Sequence, residues 1–274
     1  MSASASTRRD TAGTSPARCV VTGASSGIGR AIAIECALSG ASDVLVHYCR
    51  NETGARETAS AVGNAGATAR LVAADLSQPD DRRRLVDVAW QGAEVVDAWF
   101  HNAGVDVLTG EARQQSFDEK LQRLWEVDVH GTIALARDVA QRMLAQPRTG
   151  QPPSMLFIGW DQATEGMEGD AGQMFGPVKA AVMAYSRSLA QTLAPRVRVN
   201  CVAPGWIQTA WGDTADSAWQ NRAKQQSLMQ RWGTPADVAA MAVHLCSPAA
   251  SFITGQIVNV NGGWNRQPPT AMSS

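Results

Sequence analysis

The chain has 274 residues, of which 45% are hydrophobic and 18% are charged, and its formal net charge is -1 at pH 7. This balance excludes the strongly basic surface that nucleic acids or anionic membranes attract. No apolar run approaches the roughly 18 residues that span a bilayer. A chain of this length buries one substantial core, so we expect a single domain over residues 17–265.

The two ends of the chain differ from the interior in composition. "MSASASTRRDTAGTSPAR" is rich in Ser, Thr and Ala and lacks the apolar core of a secretory signal. We therefore expect a disordered tail over residues 1–16, and a loose tail over residues 266–274. The five cysteines are scattered, odd in number and without metal-ligand spacing. They predict buried thiols in a reducing, cytoplasmic setting and no metal site.

Short apolar runs and longer helical stretches alternate between these ends. In chain order the runs are "RCVVTG", "DVLVHY", "ARLVAAD", "VVDAWFHNAG", "SMLFIGW", "RVRVNCVAPG" and "GQIVNVNGG". Helical spacing of apolar residues marks "IGRAIAIECALSG", "KLQRLWEVDVHGTIALARDVAQRML" and "AAVMAYSRSLAQTLA". Runs without polar alternation favour strands covered on both faces. We predict one doubly wound α/β domain of the Rossmann type, with a seven-stranded, mostly parallel sheet and helices on both faces.

A glycine-rich segment follows the first run. In such a sheet, ligands bind beyond the carboxyl ends of the strands. "TGASSGIGR" lies at that place, and its glycine spacing lets the backbone approach a pyrophosphate. A glycine triplet alone is equally typical of a tight turn. The candidate phosphate-binding residues are Gly23, Ser25, Ser26, Gly27, Ile28 and Gly29.

Further motifs follow later strands and support a nucleotide-binding role for the glycine triplet. "ADL" follows the third run, "HNAG" the fourth and "RVNCVAPGWIQT" the sixth, and "ITGQIVNVNGGW" closes the domain. With "TGASSGIG" these motifs make the chain resemble a short-chain dehydrogenase/reductase from about Arg18 to Trp264. The resemblance implies a dinucleotide-binding fold and hydride chemistry on a small molecule.

The same resemblance implies contacts to a nicotinamide cofactor. Asp75 and Leu76 would flank the adenine, although an isolated Asp is also typical of a helix N-cap or a turn. The turn after the fourth strand would lie beside the cofactor, the segment after the sixth would contact the nicotinamide amide, and a lysine would lie near the ribose. These positions are Asn102, Ala103, Gly104, Pro204, Gly205, Ile207, Thr209 and Lys179.

The end of the second strand bears on the choice between NAD and NADP. A carboxylate there accepts from the ribose 2′-OH of NAD, whereas a guanidinium binds the 2′-phosphate of NADP. "VLVHYCRNE" has Arg50 and no acid before Glu52. Arg50 could also be a solvated loop charge. We predict NADP(H).

The reactive groups of the resembling family are largely replaced. That family uses an Asn, a Ser, a Tyr and a Lys, and the Tyr hydroxyl exchanges the proton. Here Lys179 remains, but Phe175 stands four residues before it, and Asp128 takes the Asn position. Trp160 or Asp161 takes the Ser position. Losing a positioned proton donor costs about 10²- to 10⁴-fold in rate.

Two interpretations of the acidic replacements stay open. Asp128 and Asp161 could line the cavity beside Lys179, and a carboxyl desolvated beside Trp160 could hold a proton near neutral pH and deliver it. Alternatively, they are a loop cap and a salt-bridge partner of Lys179. Neither of the two tyrosines is expected to replace Phe175: Tyr48 belongs to the end of the second strand, and Tyr185 lies six residues beyond Lys179 on a helix that faces the core.

Tryptophans are concentrated in the segment after the sixth strand. Trp206 and Trp211, with Trp219, lie there, and Trp160 faces them from the fifth strand. Indoles around one cleft suggest a flat, apolar or ring-bearing substrate. Alternatively, some of these indoles pack into the core or a subunit interface.

Two functions from different classes follow. The first is an NADP(H)-dependent oxidoreductase that acts on a carbonyl or alcohol with an altered proton donor. The second is a catalytically degenerate nucleotide-binding protein that serves as a redox sensor or an assembly subunit. The resemblance also implies a homotetramer that pairs through the two long helical stretches, whose apolar residues exceed what one face against the sheet requires.

Overall fold

The computed structural model of the protein describes residues 16–147, 150–209, 212 and 216–265. The expected tails lie outside the described residues except for Pro16, so their disorder stays a prediction. Trp211, one of the candidate substrate residues, also lies outside the described residues.

Seven strands form one sheet in the order β3-β2-β1-β4-β5-β6-β7, and every neighbouring pair is parallel. The doubly wound architecture predicted from the alternating runs is confirmed. Because the order reverses between β1 and β4, the carboxyl ends of these two strands open a crevice for a ligand. The strands are β1 (Arg18–Val21), β2 (Asp43–Tyr48), β3 (Thr68–Ala73), β4 (Ala98–His101), β5 (Ser154–Ile158), β6 (Arg198–Pro204) and β7 (Ile257–Val260).

Helices cover both faces of the sheet. Two large apolar clusters result, one on each face, and they contain alternate residues of the same strands, such as Val20 in one and Val21 in the other. The described α-helices are α1 (Gly27–Leu38), α2 (Glu52–Asn64), α3 (Pro79–Trp90), α4 (Phe117–Leu124), α5 (Thr132–Ala145), α6 (Gln162–Glu165), α7 (Gly169–Leu193), α8 (Ser217–Gln226) and α9 (Pro235–Cys246).

Two expectations about burial need correction. The two edge strands, β3 and β7, are only partly covered, because each lacks a neighbour on one side. Cys49 is exposed, whereas the other four cysteines are buried. Cys49 lies just beyond the end of β2, where the chain leaves the sheet, so the core does not enclose it.

The stretch "KLQRLWEVDVHGTIALARDVAQRML" is not one regular helix. A π-helical segment, Trp125–Gly131, separates α4 from α5. Such segments widen the helix by one residue and often occur at functional sites. This segment carries Asp128, and a third apolar cluster around Leu124 and Val178 joins it to α7.

Candidate active site

The glycine-rich turn after β1 has the geometry of a phosphate cradle. Gly23 and Gly27 have φ of +64° and +53°, a region that favours glycine. A Cβ added to Gly29 would lie 2.2 Å from the Gly23 carbonyl oxygen. Ser26 precedes α1 in an extended conformation, and its side chain makes no cap hydrogen bond. The first turn of α1 therefore suits an anion, which fits the dinucleotide that the sequence implies.

Side chains from neighbouring strands fix this turn. The Asn102 amide donates to the carbonyl oxygens of Thr22, at 3.0 Å, and Gly23, at 3.1 Å. The Gly23 N–H donates to Nδ1 of His47 at 3.0 Å, and Nε2 of His47 lies 3.0 Å from the Ala74 carbonyl oxygen. Burial lowers the pKa of His47 to about 4, so the neutral ring donates from Nε2. His47 thereby joins three strand ends.

The sequence interpretation missed His47 and also Arg30. The Arg30 guanidinium donates to the carbonyl oxygens of Ser25, at 2.8 Å, and Gly54, at 3.1 Å. It also pairs with Glu57 on α2. These contacts dock α2 on the glycine turn. The signals were present: a histidine inside an apolar strand, and an arginine directly after the glycine motif.

On the adenine side, Asp75 acts within a turn. Its Oδ1 accepts from the backbone N–H of Ser77 at 2.9 Å and from its hydroxyl at 2.8 Å. The α3 helix begins only at Pro79, so Asp75 is a turn residue and not a helix N-cap. The Leu76 side chain is buried in the core. Only the backbone of Leu76 is therefore available beside a ligand.

The end of β2 carries an exposed arginine. Arg50 is exposed, and the acid that follows it, Glu52, pairs with Arg56 within α2. Asn51 caps α2 by accepting from the Gly54 N–H at 3.0 Å. The nearby carboxylate is thus occupied by its own helix, and the guanidinium is available to solvent at this edge.

A cavity of about 360 Å³ extends from the glycine turn into the space beside β5 and β6. Most of its described lining is apolar or aromatic, and the polar side chains are those of an amide, a hydroxyl and an ammonium group. The lining residues are Ile28, Asn102, Leu108, Ile158, Gly159, Trp160, Met167, Ala171, Phe175, Lys179, Pro204, Gly205, Trp206, Ile207, Thr209, Trp219 and Trp232.

Lys179 and Phe175 lie one helical turn apart on α7, and both reach this cavity. Asp128 faces Lys179 from the π-helical segment, with 3.2 Å between its Oδ2 and Nζ. Its Oδ1 accepts from the Val105 N–H at 2.8 Å. The structure therefore makes Asp128 the salt-bridge partner of Lys179, which is one of the two interpretations left open above.

Asp161 is buried but lies outside the cavity lining. Its Oδ2 accepts from the Asn261 amide at 3.0 Å, and a Cβ on Gly205 would lie 3.0 Å from that oxygen. Burial raises the pKa of Asp161 to about 6. The pKa fits the idea of a proton-holding carboxyl, but Asp161 faces the end of β7. Trp160, its neighbour, lines the cavity instead.

Aromatic rings form the far wall of the cavity. The ring centroid of Trp206 lies 5.6 Å from that of Trp219 and 5.9 Å from that of Trp232. Trp160 meets Phe175 edge-on at 6.4 Å. Trp232 is a wall residue that the sequence interpretation did not single out, although it lies at the end of the same segment.

An arginine fixes two of these indoles from outside. The Arg222 guanidinium carbon lies 5.0 Å from the ring centroid of Trp219 and 5.8 Å from that of Trp206. Arg222 also pairs with Glu168, just before α7, with 3.0 Å between Nη2 and Oε2. The contact ties α8, on one side of the cavity, to the start of the helix that carries Lys179.

The family comparison agrees with the fold and the glycine turn. The family model described as enoyl-(acyl carrier protein) reductase matches residues 23–265. The 3beta-hydroxysteroid dehydrogenase 1 of Eggerthella lenta is 33% identical over 252 residues, which cover 91% of this chain and 94% of that protein. The chain belongs to the short-chain dehydrogenase/reductase family.

Solved structures of this family superpose closely. A 7α-hydroxysteroid dehydrogenase complexed with NADH and 7-oxo glycochenodeoxycholic acid has a TM-score of 0.81 and 28% identity, and the match covers 95% of this chain and 99% of that one. A short-chain dehydrogenase from Burkholderia cenocepacia in complex with NADP has a TM-score of 0.78 and 28% identity, covering 90% and 96%. The protein is accordingly assigned to the NAD(P)-dependent oxidoreductases.

The described residues show neither a metal-binding cluster nor a membrane span. They contain no group of three or more His, Cys, Asp or Glu side chains arranged to bind a metal ion. No helix among them has the length and hydropathy needed to cross a membrane.

Proposed function

We propose that the protein is an NADP(H)-dependent oxidoreductase that interconverts a carbonyl and an alcohol on an apolar, ring-bearing small molecule, with an altered proton donor. One observation carries the proposal: a single cavity is bounded by the glycine turn through Ile28, by Lys179 and by the aromatic wall. A cofactor on the turn and a substrate against the indoles would thus share one space.

The residues that would hold the cofactor fit it. The glycine turn has no side chain where a pyrophosphate would lie, and the N-terminus of α1 faces the same place. Arg50 would meet a 2′-phosphate at the end of β2, and Thr209 lies over the turn, 3.7 Å from a Cβ built on Gly27. When bound, the cofactor would supply or accept the hydride.

The aromatic wall supports an apolar, ring-bearing substrate. Indole faces offer a large contact area with little loss of side-chain freedom, and they stack well on flat rings. Trp206 donates from Nε1 to Gln226 at 2.8 Å, which holds its ring across the cavity. No basic residue other than Lys179 is among the described lining, so the wall does not favour a phosphorylated substrate.

The experiment measures NADPH binding by fluorescence titration, and then NADPH consumption with a panel of aromatic aldehydes, ketones and quinones. We expect binding and turnover in the wild type. Gly29→Val is the control, because its side chain would clash with the Gly23 carbonyl and should abolish both. Turnover that persists in Gly29→Val would contradict the assigned cofactor site.

The competing candidate is a nucleotide-binding protein without turnover, acting as a redox sensor or an assembly subunit. Phe175 favours it, because a phenyl ring at the tyrosine position gives no proton. NADPH binding without consumption of NADPH by any member of the panel would select this candidate.

We also propose a cytoplasmic homotetramer. The family resemblance implies the tetramer, and Trp125, between α4 and α5, is 42% exposed in the single chain. A large exposed indole on that helical surface suits a subunit contact. A monomeric mass by light scattering at micromolar concentration would contradict the tetramer.

A further inference from the structure

Reduction of a carbonyl requires a proton as well as a hydride. The structure excludes several groups as the source of that proton. Asp128 accepts at both oxygens, from Val105 and from Lys179, so this carboxylate has no proton to give. Asp161 faces Asn261 and lies outside the cavity. Neither acidic replacement that the sequence offered is placed to protonate a substrate.

The tyrosines and the cavity hydroxyl do not fill the gap. Neither Tyr48 nor Tyr185 is part of the described lining, and Tyr185 packs edge-on against Phe157 in the core at 6.0 Å. Thr209 lines the cavity, but an aliphatic hydroxyl without an adjacent base is a poor proton source. Within the described lining, Lys179 is the remaining group with an acidic proton.

The surroundings of Lys179 hold its ammonium group at the cavity wall. Its side chain is 17% exposed, while that of Asp128 is 3% exposed, so the pair lies at the cavity wall with the carboxylate behind it. Gly104 leaves room for this carboxylate, because a Cβ there would lie 2.6 Å from Asp128 Oδ2. Cys201 of β6 is also within electrostatic range of Lys179, and burial raises the pKa of this thiol to about 12.

We infer that Lys179 is the proton donor of the reaction, in place of the missing tyrosine hydroxyl, with Asp128 as its positioning residue. The inference rests on the proposed function and names the acid within it. The reduced dinucleotide, when bound, would supply a hydride to the carbonyl carbon by cleavage of a nicotinamide C–H bond and would be left oxidised, while the C=O π electrons would move to oxygen. That oxygen takes a proton as an Nζ–H bond of Lys179 breaks, and the neutral amine then regains a proton from water.

The first test distinguishes proton donation by Lys179 from the effect of its positive charge. Lys179→Arg keeps a cation beside Asp128, but a guanidinium does not release its proton in proteins. We expect kcat to fall by at least about 10²-fold, with a much smaller loss of NADPH affinity because a cation remains at this position. Adding Phe175→Tyr to Lys179→Arg should restore at least about tenfold of the lost rate, because a phenol now supplies the proton. Lys224→Arg, at an exposed position of α8, is the matched control and should change neither quantity.

The second test uses pH and does not depend on the arginine variant. Asp128→Asn removes the negative partner of Lys179, so the alkaline limb of kcat/KM should move to lower pH. In the cofactor-free protein, the Lys179 signal in a 15N-lysine NMR titration should move in the same direction.

The outcomes distinguish the inference from the proposed function. Wild-type turnover with an unchanged kcat in Lys179→Arg would overturn the inference and leave the oxidoreductase standing. Failure of Phe175→Tyr to rescue the arginine variant, together with an unmoved alkaline limb in Asp128→Asn, would also overturn it. NADPH binding with no wild-type turnover would overturn the proposed function, and the inference with it.

Discussion

Asp128 and Lys179, 51 residues apart in sequence, form an ion pair with 3.2 Å between Oδ2 and Nζ, and Gly104 makes the room for it. The carboxylate reaches this position from the π-helical segment, Trp125–Gly131. The pair explains why an acid is tolerated where the family resemblance implies an asparagine. A nearly buried carboxylate is stable there because a cation and a backbone N–H both meet it.

Gly104→Ala should disturb this pair. The new methyl group would lie 2.6 Å from Asp128 Oδ2, so we expect a loss of about 1 to 3 kcal/mol in the free energy of unfolding. Denaturant unfolding measures it. Gly63→Ala is the control, since a Cβ there meets nothing within 4 Å. The same Gly104→Ala change should cost less in an Asp128→Ala background; equal costs would refute the clash.

Arg50→Asp should reverse the cofactor preference. A carboxylate at the end of β2 repels a 2′-phosphate and accepts from a 2′-OH, so NADPH affinity should fall far more than NADH affinity. Fluorescence titration with both cofactors checks this. Arg56→Asp is the matched control, because Arg56 lies in the first turns of α2 and pairs with Glu52. Tighter binding of NADH than NADPH to the wild type would remove the assignment of Arg50.

His101→Phe should reduce the loss of folding stability at low pH. His101 stacks on Phe157 at 4.5 Å, and burial lowers its pKa to about 3. Because the unfolded chain binds the proton more readily, His101 contributes stability above about pH 6.5 that is lost as pH falls toward 3. Thermal unfolding between pH 4 and 8 should show a smaller acid loss in the variant. The exposed His130→Gln should follow the wild type.

Asp161→Asn should change the pH dependence of folding stability in the opposite direction, at neutral rather than acid pH. Burial raises the pKa of Asp161 to about 6, so the folded protein binds this proton more tightly than the unfolded chain. The wild type therefore loses stability as pH rises from about 4 through about 6, whereas the amide does not. The shift is about two pKa units and each unit corresponds to about 1.4 kcal/mol, so the relative gain at pH 7.5 should be on the order of 3 kcal/mol. A constant difference between pH 4 and 7.5 would contradict the burial effect.

The fold was predictable because its signals are local and repeat along the chain. Each buried strand is a short apolar run, such as "DVLVHY", and β1 ends directly in the glycine turn that begins α1. Such patterns depend on sequence neighbours and on general rules of sheet burial. These patterns can therefore be recognised in the sequence without knowledge of the tertiary contacts.

The reactive site was only partly predictable, since its chemistry depends on contacts between distant segments. Sequence placed Asp128 and Asp161 on equal terms beside Lys179. The structure separates them, because the π-helical segment aims Asp128 at Lys179 while the end of β7 holds Asp161 through Asn261. Trp232 reaches the aromatic wall from a loop before α9, which no local pattern could show.

Hydride transfer in a single turnover is the most direct measurement of the proposed oxidoreductase activity. Excess enzyme is mixed with NADPH deuterated at the transferring position of C4 and an aromatic ketone, and the product is examined by mass spectrometry. We expect an alcohol that carries one deuterium at the former carbonyl carbon, formed by the wild type and not by Gly29→Val. Bound NADPH that stays fully reduced, with the ketone recovered unlabelled across the panel, would contradict it.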